Sequence, residues 1–337
     1  MNIKIKNTLG SAGSDMCMVT FENSSKMMLM LLKSMKGIYS IWESDSNDIE
    51  GAVNDEEFEL YTKWIPKLKE VLIDKGVSEE DADKIARDNA EYFISAFSPS
   101  TAFKIEAPIS IWNKINATLI MLSDFMLSEE SDKMIPIAKE VCSRLCLYIG
   151  DFCEEFKRST IYCSDAEPYD DFMFIPQVYP NIPHPIYEAE TYHDVYSSLY
   201  YVSLDTLCKL QDYRSIRYKI NDARVMNETF YCPDFIGDNE ELKKEWGTDM
   251  ESIKNNLPQG LAVEVVEIGG IDDFLSKCKN VLCGGTEYEL QQNVSSVLLN
   301  FYNNKHLSPY WAHKVEKWLI KDEEGNVVGI KTNENVE

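Results

Sequence analysis

The stretch LPQGLAVEVVEI, residues 257–268, decides the fold. Its Leu-Pro pair stops whatever precedes it, because proline removes a backbone donor and holds its predecessor extended. LAVEVVEI, 261–268, then reads as a strand rich in β-branched residues. After Gly269-Gly270, the spacing of Ile271, Phe274, Leu275 and Cys278 predicts a helix, and TEYELQQNVSSVLLNFY, 286–302, predicts another. The same order stands earlier in the chain. Ser98-Pro99 stops a helical segment, TAFKIE at 101–106 alternates as a strand does, and helices follow at about 110–127 and 133–156. Helix, proline, strand, helix, helix thus occurs twice, with slight identity between the copies. The expectation is an α+β protein whose halves arose by internal duplication.

Around this frame, Phe58, Tyr61, Ile65, Leu68 and Leu72 share one helical face. Pro66 is expected to kink that helix and Gly76 to end it. Ser78-Glu79-Glu80-Asp81 resembles a capping box opening the next helix, continued by Ala82, Ile85, Ala86, Asn89, Ala90 and Phe93. In the second half a helical stretch is expected around 195–212, carrying Leu199, Val202, Leu204, Leu207 and Leu210. The turn-rich FYCPDFIGDNEE leads into a short helix before Leu257-Pro258. KVEKWLIKD and NVVGIKT flank Glu323-Glu324-Gly325-Asn326 as a β-hairpin. Five of the chain's twelve prolines fall in SDAEPYDDFMFIPQVYPNIPHPIY. That run divides the chain into an N-terminal lobe, 1–163, a proline-rich linker, 164–187, and a C-terminal lobe, 188–337. Its aromatic residues point to a strap laid on the surface.

The 337 residues carry 57 acidic against 33 basic side chains, a formal net charge of -24. Hydrophobic residues make up 44%, enough for a real core, so the chain is no disordered acidic tail. Broad nucleic-acid binding is not expected, since it runs on Lys and Arg neutralising phosphates. An anionic membrane surface is disfavoured for the same reason, while a local cationic pocket stays open as an option. Nine cysteines, an odd number without a Cys-x-x-Cys, read as reduced, buried thiols of a cytoplasmic protein. Zinc would want paired ligands at turn spacing. MNIKIKNTLGSAGSD has no apolar signal-like run, and MMLMLL at 27–32 is far too short to cross a bilayer.

Against that acidity stands DYRSIRYKINDAR, 212–224, with Arg214, Arg217, Lys219 and Arg224 beside only Asp212 and Asp222. Arg214 and Arg224 can hold an anion if they meet across a turn; on one straight helix they would lie about 15 Å apart. Alternatively the stretch is a solvated face paired with carboxylates. Other features carry two readings as well. Gly284-Gly285 shapes an anion nest or a tight turn, and Glu287 and Glu289 suit a helix N-terminus. Tyr192, Tyr196, Tyr200 and Tyr201 form a stripe at helical spacing, able to stack a flavin or to pack a core. His184, His193, His306 and His313 show no spacing for a metal, and no nucleophile signature occurs.

The order Leu257-Pro258, strand, turn, helix, then Thr286-Glu287-Tyr288-Glu289-Leu290 resembles the C-terminal signature of flavin-dependent thymidylate synthases. In that family a Leu-Pro pair precedes a strand, Asn-x-Arg opens a helix, a Leu-Arg follows, and Ala-Gln-x-Glu opens the last helix. The family's upstream Arg-His-Arg falls on Asp212-Tyr213-Arg214, and its Arg-Tyr on Arg224-Val225. The resemblance covers chiefly 193–302, with a fainter echo through 19–140. Arg214, Arg224 and Glu289 keep the family's residue type. The Asn-x-Arg is Gly270-Ile271-Asp272, the Leu-Arg is Asn280-Val281, the Gln is Glu287 and the motif serine is Asp222.

The resemblance implies a helix-rich α+β fold of two thymidylate-synthase-like lobes packed as a pseudo-dimer, with ligands between them. It implies FAD as cofactor, held by Arg214, Arg224 and His193. It implies a deoxyuridine nucleotide held by Arg217 and Glu289, with NADPH and methylenetetrahydrofolate as co-substrates in one-carbon transfer. Such a reaction needs no protein nucleophile, only binding, orientation and charge stabilisation. The departures imply a different outcome. The family's Leu-Arg arginine, which grips and polarises the uracil nucleotide, is replaced by Val281, and each lost donor of that kind costs ~3–4 kcal/mol. The alternative is a catalytically inactive homologue serving as a structural or protein-interaction component, with a homo-oligomer or a protein partner.

Overall fold

A computed structural model describes residues 1–9, 15–44, 51–134, 136–159, 161–169, 195–220, 230–237, 239–283, 288–303, 307, 309–325 and 327–331. β1 (Asn2–Leu9) and β2 (Asp15–Ser24) lead into α1 (Lys26–Lys33); β3 (Ser40–Ser44), α2 (Asp55–Asp74) and α3 (Glu79–Ala90) follow. Next come β4 (Thr101–Pro108), α4 (Ile109–Met126) and α5 (Pro136–Arg158). The later elements are β5 (Val195–Ser203), α6 (Leu204–Leu210), β6 (Arg217–Ile220), α7 (Glu240–Ser252), β7 (Ala262–Gly270), α8 (Ile271–Cys283) and α9 (Tyr288–Asn303). α10 (Pro309–Val315), β8 (Leu319–Lys321) and β9 (Val327–Ile330) complete them. The chain is α+β with small antiparallel sheets. It forms two compact units, one holding β1–β4 with α1–α5, α6 and α7, the other β5–β9 with α8–α10.

In the first unit the sheet order is β1-β2-β4-β3. Strand alternation sends Cys17, Val19 and Phe21 of β2, and Phe103, Ile105 and Ala107 of β4, to one buried face. Trp112 of α4 and Phe152 of α5 cover it: Phe21 stacks on Phe103 at 4.6 Å and on Phe152 at 5.9 Å. The Trp112 indole N–H donates to the Cys17 carbonyl at 3.0 Å, so the large ring is buried without an orphaned donor. α1, MMLMLL between two lysines, is buried all round and is a core helix. A second cluster joins Trp64 of α2, Phe93 and Trp246 of α7, with Trp64 and Trp246 edge-on at 4.8 Å.

In the second unit β7 lies between β5 and β6. α8 turns Ile271, Phe274, Cys278, Val281 and Leu282 inward, and α9 turns Leu290, Val294, Leu298 and Phe301 inward. Gly269 allows a close approach: a Cβ there would meet Ile216 Cγ1 at 3.1 Å and Tyr196 Cε1 at 3.3 Å. β8 and β9 form the expected hairpin, turning through Gly325 at φ 86°.

The repeat read in the sequence has a structural counterpart. Sheet order β2-β4-β3 matches β5-β7-β6, with α1 after β2 as α6 after β5, α4 after β4 as α8 after β7, and α5 as α9. Ser25 caps α1 and Ser203 caps α6, each accepting from the backbone N–H three residues on. Two residues after each cap, the Met27 amide donates to the Ala96 carbonyl and the Asp205 amide to the Gln259 carbonyl. Between these segments Ser95 bridges Pro258, with Ala96 N–H donating to Leu257 O and Gln259 N–H to Ile94 O. Equivalence therefore runs through Ala96 and Gln259. Pro99 and Pro258 do not occupy equivalent positions.

Several local expectations are met. Ser78 accepts from the Asp81 amide and opens α3, and Gly76 takes φ 85° just past the end of α2. The helix expected over 195–212 is a strand followed by a short helix, because Tyr196, Ser198 and Val202 alternate inward along VYSSLYYVS and only the Ser203 cap starts helical bonding. KVEKW is likewise not strand: α10 and a 3₁₀ turn carry Val315 and Trp318 inward, and the strand starts at Leu319. The first half, where the sequence reading assigned one strand at 101–106, contains a four-stranded sheet. Of the proline-rich linker, 170–187 lies outside the described residues. At its described edge, the Tyr169 amide donates to Thr118 Oγ1 at 2.8 Å and its hydroxyl to the Lys36 carbonyl. No helix among the described residues is long and apolar enough to cross a membrane.

Candidate functional site

Of the residues singled out in the sequence, Arg224, His193, Asp222, His184, His306, Tyr192, Gly284-Gly285 and Glu287 lie outside the described residues. Arg214 is exposed in the turn between α6 and β6, and Arg217 is the exposed first residue of β6, opposite Ile268. Strand alternation puts Arg217 and Lys219 on one side of β6 and buried Tyr218 on the other. Asp212, at the head of this basic stretch, is 2.7 Å from the ammonium of Lys33 on α1. Glu289 sits in the first turn of α9 and is buried. His313 is exposed, 3.5 Å from Glu316.

The tightest polar cluster of the second unit is one that the sequence reading passed over. Lys277 Nζ on α8 lies 2.5 Å from Glu267 Oε1 on β7, and both side chains are 0% exposed. The Tyr196 hydroxyl donates to Glu267 Oε1 and the Tyr200 hydroxyl to Oε2. Tyr196 and Tyr200 are four apart on β5, so a strand turns both to one face. Tyr218 stands opposite Glu267 in the β6–β7 register. The ammonium lies 5.7 Å from the Tyr218 ring centroid and 5.4 Å from that of Phe274. Tyr196 also packs against Phe274 at 4.8 Å and Phe301 at 5.8 Å.

The electrostatics follow from that geometry. Burial first, and then the Glu267 charge, push both tyrosine hydroxyls far above their ordinary range. They are therefore fixed as proton donors. Burial likewise raises the neighbouring Cys278 thiol. The Glu267 carboxylate accepts from one ammonium and two phenols, so its charge is matched inside the protein. This cluster holds β5, β7 and α8 together. Its chemistry is that of a closed lock.

The first unit carries two further networks. Lys26 Nζ reaches Asp205 Oδ1 and Gln259 Oε1, each at 2.7 Å, and Glu91 Oε2 at 3.1 Å; Lys209 also pairs with Asp205. Burial alone would raise the Asp205 pKa, yet Lys209 and Lys26 hold it well below the usual carboxylate range. Lys33, nearly buried, pairs with Glu43 at 2.5 Å as well as with Asp212. Burial opposes its charge, but Cys208, Asp212 and Glu43 around it keep the ammonium above its ordinary range.

Burial pushes the thiols of Cys17, Cys153 and Cys232 up to about 11 and those of Cys142 and Cys208 up to about 12. At neutral pH they are protonated and poor nucleophiles. A cleft of about 510 Å³ lies along β1 and the end of α5, lined by Ile3, Lys4, Ile5, Asn7, Glu155, Arg158 and Ser159. Its cations are already paired, Lys4 with Glu22 and Arg158 with Glu154 and Glu155.

A signal for the closed cluster was present in the sequence. Lys277 falls between Phe274, Cys278 and Val281 on the face of α8 that the apolar spacing turns inward. Read as a strand, VYSSLYYVS would have placed Tyr196 and Tyr200 together. Comparison of the chain with protein-family models, curated proteins and solved structures finds no match to any of them.

Proposed function

We propose that this chain has two flavin-dependent thymidylate-synthase-like lobes and works as a non-catalytic structural or protein-interaction component in the cytoplasm. The observation that carries this reading is Val281. The family resemblance requires there an arginine that grips a uracil nucleotide, and this chain has a fully buried aliphatic side chain in the packed face of α8. Asp272, at the position of a second family arginine, is an exposed carboxylate in the first turn of the same helix, where it favours the helix N-terminus and repels phosphate. The matching strand orders support two lobes of common descent.

A second reading, a flavin-dependent nucleotide enzyme, is favoured by one observation: Arg214 and Arg217 are both exposed within one turn-and-strand segment. In it, Arg214, Arg224 and His193 hold FAD, and Arg217 and Glu289 hold a deoxyuridine nucleotide. The visible spectrum of the purified protein, with FAD and then deoxyuridine monophosphate added, separates the two. Non-catalytic function predicts no bound flavin and no thermal shift with either compound. A yellow protein whose spectrum responds to the nucleotide, and loses that response in Arg214→Glu, overturns it.

A further inference from the structure

Among the described residues, the four-stranded sheet has one face packed on α4 and α5, while the other carries exposed side chains, with Met16 buried at one end. Register fixes what the open face displays. Lys4, Thr20, Lys104 and Trp42 form one row across β1, β2, β4 and β3. Lys6, Met18, Glu106 and Ser40 form the next row. Lys4, Lys6 and Lys104 are exposed, and Trp42 is 46% exposed. Tyr39, immediately before β3, is 74% exposed. An aromatic pair this open on a strand edge is not doing core work.

The charge pattern is as informative. A chain with 57 acidic against 33 basic residues has carboxylates to spare for every lysine. Lys4 takes Glu22 at 2.6 Å, but among the described residues no carboxylate pairs with Lys6 or Lys104. Glu22, beside the first row, and Glu106, in the second, are the acids of this face, so the face carries three positive charges against two negative ones. The acidic remainder of the surface acts weakly here, because the screening length is about 8 Å at physiological salt.

We propose that this open sheet face binds a short stretch of single-stranded nucleic acid, with a base stacked on Trp42 and phosphates at Lys104 and Lys6. Adjacent strands are about 4.8 Å apart, so Trp42 on β3 and Lys6 on β1 are separated by about 14 Å across the sheet. Sheet faces of RNA-binding modules stack two or three bases over such a platform. Flat display suits unstacked bases, and a duplex hides the π-faces that the indole would meet. The site is local and compatible with a surface that repels broad nucleic-acid binding. It goes beyond the proposed non-catalytic role and does not rest on it.

Fluorescence anisotropy of a short labelled oligothymidylate, titrated with the full chain at about 50 mM salt, tests this. Saturable binding is expected, with a log–log salt slope of about -1.4 for two phosphate contacts. Trp42→Ala should weaken it by roughly tenfold or more, and Trp42→Phe should restore it. Lys6→Glu with Lys104→Glu, both at exposed positions, should abolish it. Absence of saturable binding overturns the proposal. So does a Trp42→Ala protein that binds as tightly as the parent, or equal competition by oligoglutamate or by a duplex of the same length.

Discussion

The two sheets share a strand order and treat charge in opposite ways. In the first unit the packed face of β2 and β4 is apolar, and lysines and Trp42 stand on the open face. In the second unit Glu267 and Lys277 lie fully inside, between strand and helix, with two tyrosines donating to the carboxylate. The difference teaches that a repeated backbone plan leaves the placement of charge free. One copy keeps cations where a ligand can reach them. The other uses a cation to neutralise an internal acid.

That contrast can be broken by mutation. Lys277→Met should destabilise the protein most, by about 3–5 kcal/mol, because it strands the Glu267 carboxylate in a dry site. Urea denaturation measures it. The double variant with Glu267→Leu should recover only part of the loss, since it removes the unpaired charge but leaves the Tyr196 and Tyr200 hydroxyls without their acceptor. A single-variant loss below about 1 kcal/mol would mean that the pair is not shielded as described.

The Lys26–Asp205 network of the first unit sharpens the comparison through pH. Asp205 is held below its ordinary range, so it contributes stability that is present above about pH 4 and falls away as pH drops towards its lowered folded value. Asp205→Asn should cost about 1.5–3 kcal/mol at neutral pH and flatten that acid limb. An acid limb unchanged in the variant would remove Asp205 as its source.

Smaller effects test the repeat itself. Ser25→Ala and Ser203→Ala remove equivalent caps and should each cost about 1 kcal/mol. Clearly unequal losses would show that the two capped turns differ in their surroundings. The smallest effect belongs to Lys104→Ala on the open face, expected within about 0.5 kcal/mol of the parent. Stability of that size beside the large Lys277 loss would measure the contrast between the two faces directly.

Legibility followed the range of the interactions. The Ser78 cap, the turn at Gly325, strand β7 and helices α4, α5, α8 and α9 were readable, because each is set by residues a few positions apart. The strand β5 was misread as helix because tyrosines four apart fit one face of either element, and burial alone distinguishes them. Arg214 and Arg217 lie exposed beside and on β6, a strand the reading did not assign, and Lys277 was passed over because its sequence neighbours are those of an ordinary amphipathic helix.

By itself, then, the amino-acid order determined the α+β class, several helix ends and the acidic balance, since caps, turns and periodicity act through neighbouring backbone groups. Tertiary structure alone decided which charges are inside. Tyr196 and Glu267 stand 71 residues apart in the chain and share one hydrogen bond. Only the docking of β5 and α8 against β7 excludes the water that would otherwise solvate that carboxylate, and desolvation is a property of the assembled surroundings.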